Sequence, residues 1–496
     1  MNRQITRLAV VAIVLLTALI VATTYWQAWA APSLAERQDN ALQRVAEFRI
    51  KRGRILAADG RTVLASNVKR RSNGQTVYLR RYPTRGLFAH VVGYSTQVRS
   101  RAGLEQALND FLTGANTNLD TVLDTTFDKL RGATIEGNDV VLTLRPRAQR
   151  VAYEAMVGQC GSVVALEPAT GRVLVMASVP TYDPNLVERN YGAIARRGTP
   201  CRAGAPLVNR ATQGLYAPGS TFKVVTAAAA LDSGRFELDS TFNDPGYCIE
   251  YGDRVNNYDT TRPFGTVNFL QAMQYSINSV FCNVGIRMTA LPIIEYMERF
   301  GFYGLPPLDT PDGERKASGL YEGGKLFRPK DPNQVDPGRL AFGQERLGVT
   351  PLQMAMVAAA IANSGAVMRP QLVQRVQAPD GKRITRLRPD ELNRAVSRKT
   401  AEDVTRMMEA VVQNGTGTAA QLPGVSVAGK TGTAETGVAG RNNAWFLAFA
   451  PSDKPRIAIA VVVENTNGTG GQVAAPIAKR VLQALMPAAS NSVPSG

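Results

Sequence analysis

A single histidine, His90, stands in a chain of 496 residues. A Ser-His-Asp triad, a Cys-His pair and most zinc sites all need imidazole, so any catalysis is expected to run without one. A buried or capping role is the plain reading of His90. Cysteine is also scarce: Cys160, Cys201, Cys248 and Cys282 are the whole complement, with no C-x-x-C among them. That spacing excludes the usual zinc and redox-dithiol patterns, and neither a metal nor another cofactor is expected. In an exported protein the four permit disulfides in about three connectivities, with buried thiols as the alternative. Acidic residues are the third shortage, 40 against 57 Lys and Arg, leaving a formal charge of +17.

One long apolar run is present. Arg3 and Arg7 precede Leu8 to Val21, and the run extends through Thr24 toward Tyr25, Trp26 and Trp29. At 1.5 Å per residue a helix from Leu8 to Trp29 can cross a bilayer core of about 30 Å. The aromatics fall where interfacial anchors belong, and the arginines mark the cytoplasmic end. Ala28-Trp29-Ala30 has the A-x-A form of a secretory cleavage site, but the run exceeds the usual apolar core of a signal peptide. Either reading exports the rest of the chain, to the outer side of the cytoplasmic membrane. The basic excess lies just beyond: residues 32–101 hold fifteen Lys or Arg and four Asp or Glu. Such a stretch suits anionic lipid or acidic wall polymer, or a merely solvated face; export argues against nucleic acid.

Length predicts two folded units after the anchor of residues 1–30. Residues 31–150 read as short strands and turns, including the tight turn at Asp59-Gly60, and form a small non-catalytic α+β pedestal or dimerisation module. Residues 151–486 are more strongly patterned. Val163–Leu166 and Val173–Ala177 are buried strands joined by a Pro-Ala-Thr-Gly turn, and three more apolar runs follow at 425–433, 444–450 and 457–463. With helical stretches at 221–231 and 351–362 between the two groups, this predicts an α+β domain built on a five-stranded antiparallel sheet flanked by helices. Residues 305–337 read as a surface excursion and 487–496 as a disordered tail.

Ser220-Thr221-Phe222-Lys223 opens a helix that is apolar all round, and hence buried. Ser220 falls at the helix N-terminus, where free N–H groups and the macrodipole favour a developing oxyanion. Lys223 lies one turn on, within reach of the serine, and is a base only if desolvation and a second cation hold it neutral. S-x-x-K alone is weak, and Ser66-Asn67-Val68-Lys69 repeats it in a polar segment. Ser276-Ile277-Asn278, the only Ser-x-Asn, offers a hydroxyl for proton relay and an amide for a substrate carbonyl. Lys430-Thr431-Gly432, the only K-T-G, lies in a strand pattern where glycine is costly unless something approaches closely. Lys430 supplies the second cation, Thr431 and Thr433 can hold a substrate carboxylate, and the N–H groups of Ser220 and Thr433 can form an oxyanion hole.

The ordered set S-x-x-K, S-x-N, K-T-G resembles that of penicillin-binding proteins and serine β-lactamases. The phrases from Gly161 to Gly171, Ala217 to Lys223, Thr350 to Gln353 and Gly429 to Glu435 resemble class B penicillin-binding proteins, above all the actinobacterial penicillin-binding protein A branch. The resemblance implies a D,D-transpeptidase: Ser220 attacks the D-Ala-D-Ala carbonyl of a peptidoglycan stem peptide, D-alanine leaves, and an amine of a neighbouring peptide takes the acyl group. It implies Lys223 as base and Ser276 as relay, with Asn278, Lys430, Thr431, Gly432 and Thr433 binding substrate. β-Lactam antibiotics would acylate Ser220, and a polytopic membrane glycosyltransferase and division or elongation proteins are expected partners. Two departures stand out, Ala57-Ala58-Asp59-Gly60 in place of the usual Asp-Arg-Asn-Gly form and Arg145 where Asp is common. No Glu-x-x-Leu-Asn motif is present to support a class A β-lactamase. A D,D-carboxypeptidase and a catalytically idle, β-lactam-binding scaffold or sensor are the alternatives.

Overall fold

The computed structural model describes residues 2–25, 47–72, 74–115, 136–195, 201, 205–260 and 263–486. Helix Asn2–Thr24 begins the chain, and its described side chains are exposed throughout. Residues 3–24 are long and apolar enough to cross a membrane. The hydroxyls of Thr17 and Thr23 donate to the carbonyls of Ile13 and Leu19, at 2.8 Å each, so neither presents an unsatisfied group along an apolar helix. Trp26, Trp29, the A-x-A site and the tail at 487–496 lie outside the described residues.

A five-stranded sheet runs in the order Ala428–Glu435, Asn442–Ala450, Ile457–Thr466, Gly161–Leu166, Val173–Val179, antiparallel throughout. Residues 457–463 are buried without exception because both faces are covered. Ile459, Val461 and Val463 pack with helices Pro146–Ala155 and Ala475–Leu485 on one face, while Ala460 and Val462 join the core with helices Lys223–Asp232 and Pro351–Ala362 on the other. The period of two divides one strand between two cores. Helix Pro351–Ala362 starts where expected, with Pro351 in its first turn and Thr350 Oγ1 accepting from the Gln353 N–H at 3.2 Å.

A second sheet, six-stranded, in the order Arg383–Arg386, Val373–Gln377, Asp139–Leu142, Ile55–Leu56, Val63–Ser72, Gln75–Arg81, draws four strands from residues 55–142 and two from residues 373–386. The Asp59-Gly60 turn joins two of them: Asp59 Oδ1 accepts from the N–H groups of Arg61 and Thr62 at 2.9 Å, and Gly60 takes φ +66°. Beside this sheet the buried Glu105 carboxylate pairs with Arg80 at 2.6 Å and Arg52 at 3.0 Å. Ser66 and Lys69, the repeated S-x-x-K, lie on strand Val63–Ser72, where three residues' separation puts them on opposite faces, with Lys69 exposed.

Residues 305–337 are more than a surface excursion. Strands Gly319–Glu322 and Lys325–Phe327 form a small sheet with Leu347–Gly348, Leu320 and Val335 are buried, and Glu314 Oε1 accepts from the Gly103 N–H at 2.8 Å. The prolines and glycines interrupt helices here, yet enough spaced apolar residues remain to make a local core. The cysteines form two disulfides, Cys160–Cys201 and Cys248–Cys282. His90 is buried, with Nε2 2.8 Å from the Pro206 carbonyl oxygen, and burial pushes its pKa down to about 4, leaving the ring neutral.

Candidate active site

Ser220 occupies the one-turn 3-10 helix Gly219–Phe222 that leads into helix Lys223–Asp232. Three hydrogen bonds hold this turn: Trp445 Nε1, on the five-stranded sheet, donates to Ala217 O at 3.0 Å, the Gly219 N–H donates to Gly343 O at 3.1 Å, and within the turn Thr221 Oγ1 donates to Pro218 O at 2.8 Å. Gly432 lies on the neighbouring edge strand, and a Cβ there would stand 2.9 Å from Pro218 O and 2.8 Å from Thr221 Cγ2. The glycine of K-T-G is therefore required by the Ser220 turn itself, whose backbone packs on the strand.

Ser276 sits where the chain passes from helix Phe269–Gln274 to helix Asn278–Met288, at φ +60°. That left-handed residue is costly outside glycine, and it turns both the hydroxyl and the carbonyl of Ser276 toward two buried lysines. Lys430 Nζ donates to Ser276 Oγ at 2.8 Å and to Thr431 O at 3.0 Å. Lys223 Nζ donates to Ser276 O and Asn278 Oδ1, both at 2.7 Å, and lies 3.3 Å from Ser276 Oγ. Asn278 Nδ2 in turn donates to Asn256 O at 3.0 Å, which fixes the amide's orientation.

Both lysine side chains are fully buried. Desolvation pushes Lys430 down to about 7. Desolvation, and then the nearby charge of Lys430, push Lys223 well below the ordinary lysine range. A neutral amine has two N–H donors and one lone pair; the Lys223 donors go to the Ser276 carbonyl and Asn278, and the lone pair remains available as a base.

Ser220, Ser276, Asn278, Thr431, Gly432 and Thr433 line one cleft of about 290 Å³, and Lys223 and Lys430 lie beneath it. All eight residues singled out in the sequence are thus gathered at one place. One expected contact is absent among the described residues: no hydrogen bond joins Lys223 to Ser220, and the Lys223 N–H groups point instead to Ser276 O and Asn278 Oδ1. The sequence reading also missed several walls of the cleft. Phe264 and Tyr275 stack at 5.3 Å, Thr416 Oγ1 and Thr431 Oγ1 are 2.6 Å apart, and Thr469 lines the far side. The available signal was glycine: Gly470 donates its N–H to Thr433 Oγ1 at 3.3 Å, and a Cβ there would strike Gly432 O at 2.4 Å.

The strand carrying Lys430 to Thr433 is an edge strand beside the cleft, the kind of edge that can receive an extended peptide. An alcohol at the start of a buried helix, two desolvated amines and a bridging hydroxyl make a site for acyl transfer through a serine ester.

Residues 161–483 match the family described as penicillin binding protein transpeptidase domain, and residues 52–140 match one described as penicillin binding protein A dimerisation domain. A protein of Mycolicibacterium smegmatis described as peptidoglycan D,D-transpeptidase PbpA is 35% identical over 98% of this chain and 99% of its own. A protein of the same description from Mycobacterium tuberculosis is also 35% identical, with the same coverage. Among solved structures, the ceftriaxone acyl-enzyme complex of M. tuberculosis penicillin-binding protein A superposes with a TM-score of 0.79 at 31% identity, over 89% of this chain and 100% of that one. The D,D-transpeptidase domain of a peptidoglycan glycosyltransferase from Eggerthella lenta gives 0.74 at 36% identity, over 88% and 98%.

Proposed function

This chain belongs to the penicillin-binding transpeptidase family, and from that premise we propose that it is a peptidoglycan D,D-transpeptidase that works through an acyl ester on Ser220 and is inhibited when β-lactams acylate the same residue. Ser220 Oγ bonds to the carbonyl carbon of the penultimate D-alanine while its proton passes to neutral Lys223. The proton is returned to the leaving nitrogen as the peptide bond breaks and D-alanine departs. An amine of a second stem peptide then attacks the ester, and Ser220 recovers its proton as the cross-link forms. Ser276 relays protons between the lysines. Asn278, Thr431 and Thr433 hold the peptide along the edge strand, and the N–H groups of Ser220 and Thr433 face the oxyanion.

The observation that carries this reading is Ser276 Oγ held between two buried lysines beneath the cleft that Ser220 lines. The missing Ser220–Lys223 hydrogen bond is compatible with it, since such contacts are often long before substrate is bound. With a β-lactam the acylation step breaks the ring C–N bond instead, and the ester persists. Residues 1–30 anchor the protein in the cytoplasmic membrane with residues 31–150 as pedestal and 151–486 as catalytic domain outside it. A polytopic glycosyltransferase and proteins of division or elongation are its partners there.

The test is a labelled penicillin combined with product analysis. A covalent adduct on Ser220 that Ser220→Ala abolishes is expected, and an unlabelled wild-type protein would leave only a scaffold. With a donor stem peptide, cross-linked product that grows with acceptor amine supports transpeptidation, whereas D-alanine release indifferent to acceptor indicates a carboxypeptidase.

A further inference from the structure

Asp244 ends strand Thr241–Asp244, whose alternation turns Phe242 and Asp244 inward. Its carboxylate is buried, and no ion pair involving it is found among the described residues. Four donors take the place of a counter-cation. Oδ1 accepts from the Gly246 N–H at 2.8 Å and from the Ser279 hydroxyl, and Oδ2 accepts from the Phe264 N–H at 2.9 Å. Asn257 Nδ2 lies 3.0 Å from Oδ1 and 2.9 Å from Oδ2. Burial by itself would raise the carboxyl pKa; the hydrogen bonds, led by that from Ser279, outweigh it and hold the pKa below the usual carboxylate value. The group is therefore an anion at neutral pH and an acceptor at both oxygens.

The bond to Gly246 closes a local Asx turn at Asp244-Pro245-Gly246. The other donors come from distant segments that meet at the Ser220 cleft. Asn257 and Phe264 line it directly, and Ser279 follows Asn278, which lines it too. These segments also grip one another. Asn257 Oδ1 accepts from the Ser279 N–H at 3.0 Å, Asn278 Nδ2 donates to Asn256 O at 3.0 Å, and Phe264 stacks at 5.3 Å on Tyr275, the residue before Ser276. A side-chain amide nitrogen carries two hydrogens, and Asn256 takes one of those on Asn278, so the other is left for a carbonyl in the cleft. Asp244 itself does not line the cleft, yet it touches the residues that shape this part of the wall.

We propose that Asp244 is a positioning residue for side-chain recognition: its carboxylate holds Asn257, Phe264 and Ser279 together, so that the Asn278 amide and the Phe264 ring meet the acyl side chain of the donor peptide or of a penicillin. It acts through those residues and not on the reacting atoms. An amide cannot replace it, because Asn has one acceptor oxygen and its own N–H groups would face donors that now point at Oδ2. The inference rests on the reading of Ser220 as the acylated residue, and its test separates the failure of one from the failure of the other.

The full chain in detergent is acylated by benzylpenicillin, which carries a side-chain amide and a phenyl ring, and by 6-aminopenicillanic acid, which has neither. Rates are taken well below each protein's melting temperature. Asp244→Asn should slow benzylpenicillin about tenfold more than 6-aminopenicillanic acid, the weight of one well-placed hydrogen bond. Both should slow to some degree, since Asn278 also holds Lys223. Ser279→Ala removes one contact and leaves the carboxylate in place, so it should shift the ratio of the two rates in the same direction by less. If Asp244→Asn does not fold, Ser279→Ala decides alone. An unchanged ratio in the deciding variant, whatever its melting temperature, would make the role of Asp244 merely structural and overturn the inference. Failure of both penicillins to label the wild-type protein would instead overturn the assignment of Ser220, and this inference with it.

Discussion

Ser276 Oγ accepts a hydrogen bond from Lys430 Nζ at 2.8 Å, at a serine whose own backbone is held at φ +60°. Backbone strain and a desolvated cation converge on one hydroxyl, which has a second partner in Lys223 at 3.3 Å. Removing the hydroxyl should interrupt proton traffic without disturbing the lysines' burial. Ser276→Ala is expected to slow penicillin acylation by roughly 10²–10⁴, the usual weight of a placed proton-transfer group. Ser276→Gly should be as slow but more stable than Ser276→Ala by about 1–2 kcal/mol, because glycine accepts the left-handed backbone. Stopped-flow acylation and thermal unfolding of the two variants check both halves; equal melting temperatures would contradict the strain.

The buried lysines set a pH dependence with a definite sign. Lys430 is pushed down to about 7 in the fold, while the unfolded chain keeps an ordinary lysine near 10.4. Between those values the unfolded state holds more protons, so stability should rise with pH from about 7 toward 10 and level off beyond. Below about 7 both states are protonated and the penalty is constant. Acylation should rise in the same direction, because only a neutral Lys223 can take the Ser220 proton and a protonated Lys430 opposes a second charge beside it. Lys430→Met should therefore melt higher than wild type at pH 7, lose much of this slope, and acylate poorly. Unfolding and acylation measured from pH 6 to 10 would show it.

How much of this was legible in the sequence follows from how local each signal is. Ser220 with Lys223, and Lys430 with Thr431 and Gly432, are each confined to a few consecutive residues, and the strand at 457–463 is an unbroken apolar run that only a sheet covered on both faces explains. Thr416 and Thr469 are single threonines that tertiary packing brings to Thr431 and the cleft, and only the glycines after Thr469 mark either of them locally. Strand Val373–Gln377 was also hidden: its Val-Gln-Arg-Val-Gln is half polar, and its partner Asp139–Leu142 comes from the distant N-terminal part. The cost of Gly432 was foreseen, but the atoms that approach it belong to the protein's own Pro218 and Thr221.

Gly432→Ala tests that packing. A Cβ placed 2.9 Å from Pro218 O must push the Ser220 turn from the strand, and overpacking of this kind costs about 1–3 kcal/mol. Displacement of the reacting serine by even a fraction of an ångström should also slow acylation, by up to about 10²-fold. Thermal unfolding and acylation rates report the two effects, and unchanged values would show that the turn can yield.

The two disulfides should differ in what they protect. Cys248–Cys282 ties strand Tyr247–Glu250 to helix Asn278–Met288, across a separation of 34 residues. The same hairpin delivers Asn256, whose carbonyl receives Asn278 Nδ2, and Asn257, whose Oδ1 accepts from the Ser279 N–H at 3.0 Å. Loosening it would free the amide that holds Lys223. Cys160–Cys201 closes a separation of 41 residues, and neither cysteine lines the cleft. Replacing either pair by serine should cost about 2–4 kcal/mol, as expected for loops of this size. Only the Cys248→Ser/Cys282→Ser protein should also acylate more slowly at a temperature where it remains folded; the Cys160→Ser/Cys201→Ser protein should melt earlier but acylate at the wild-type rate. If both variants lost rate equally, the cleft would be sensitive to global stability alone, and the hairpin would have no particular hold on Asn278.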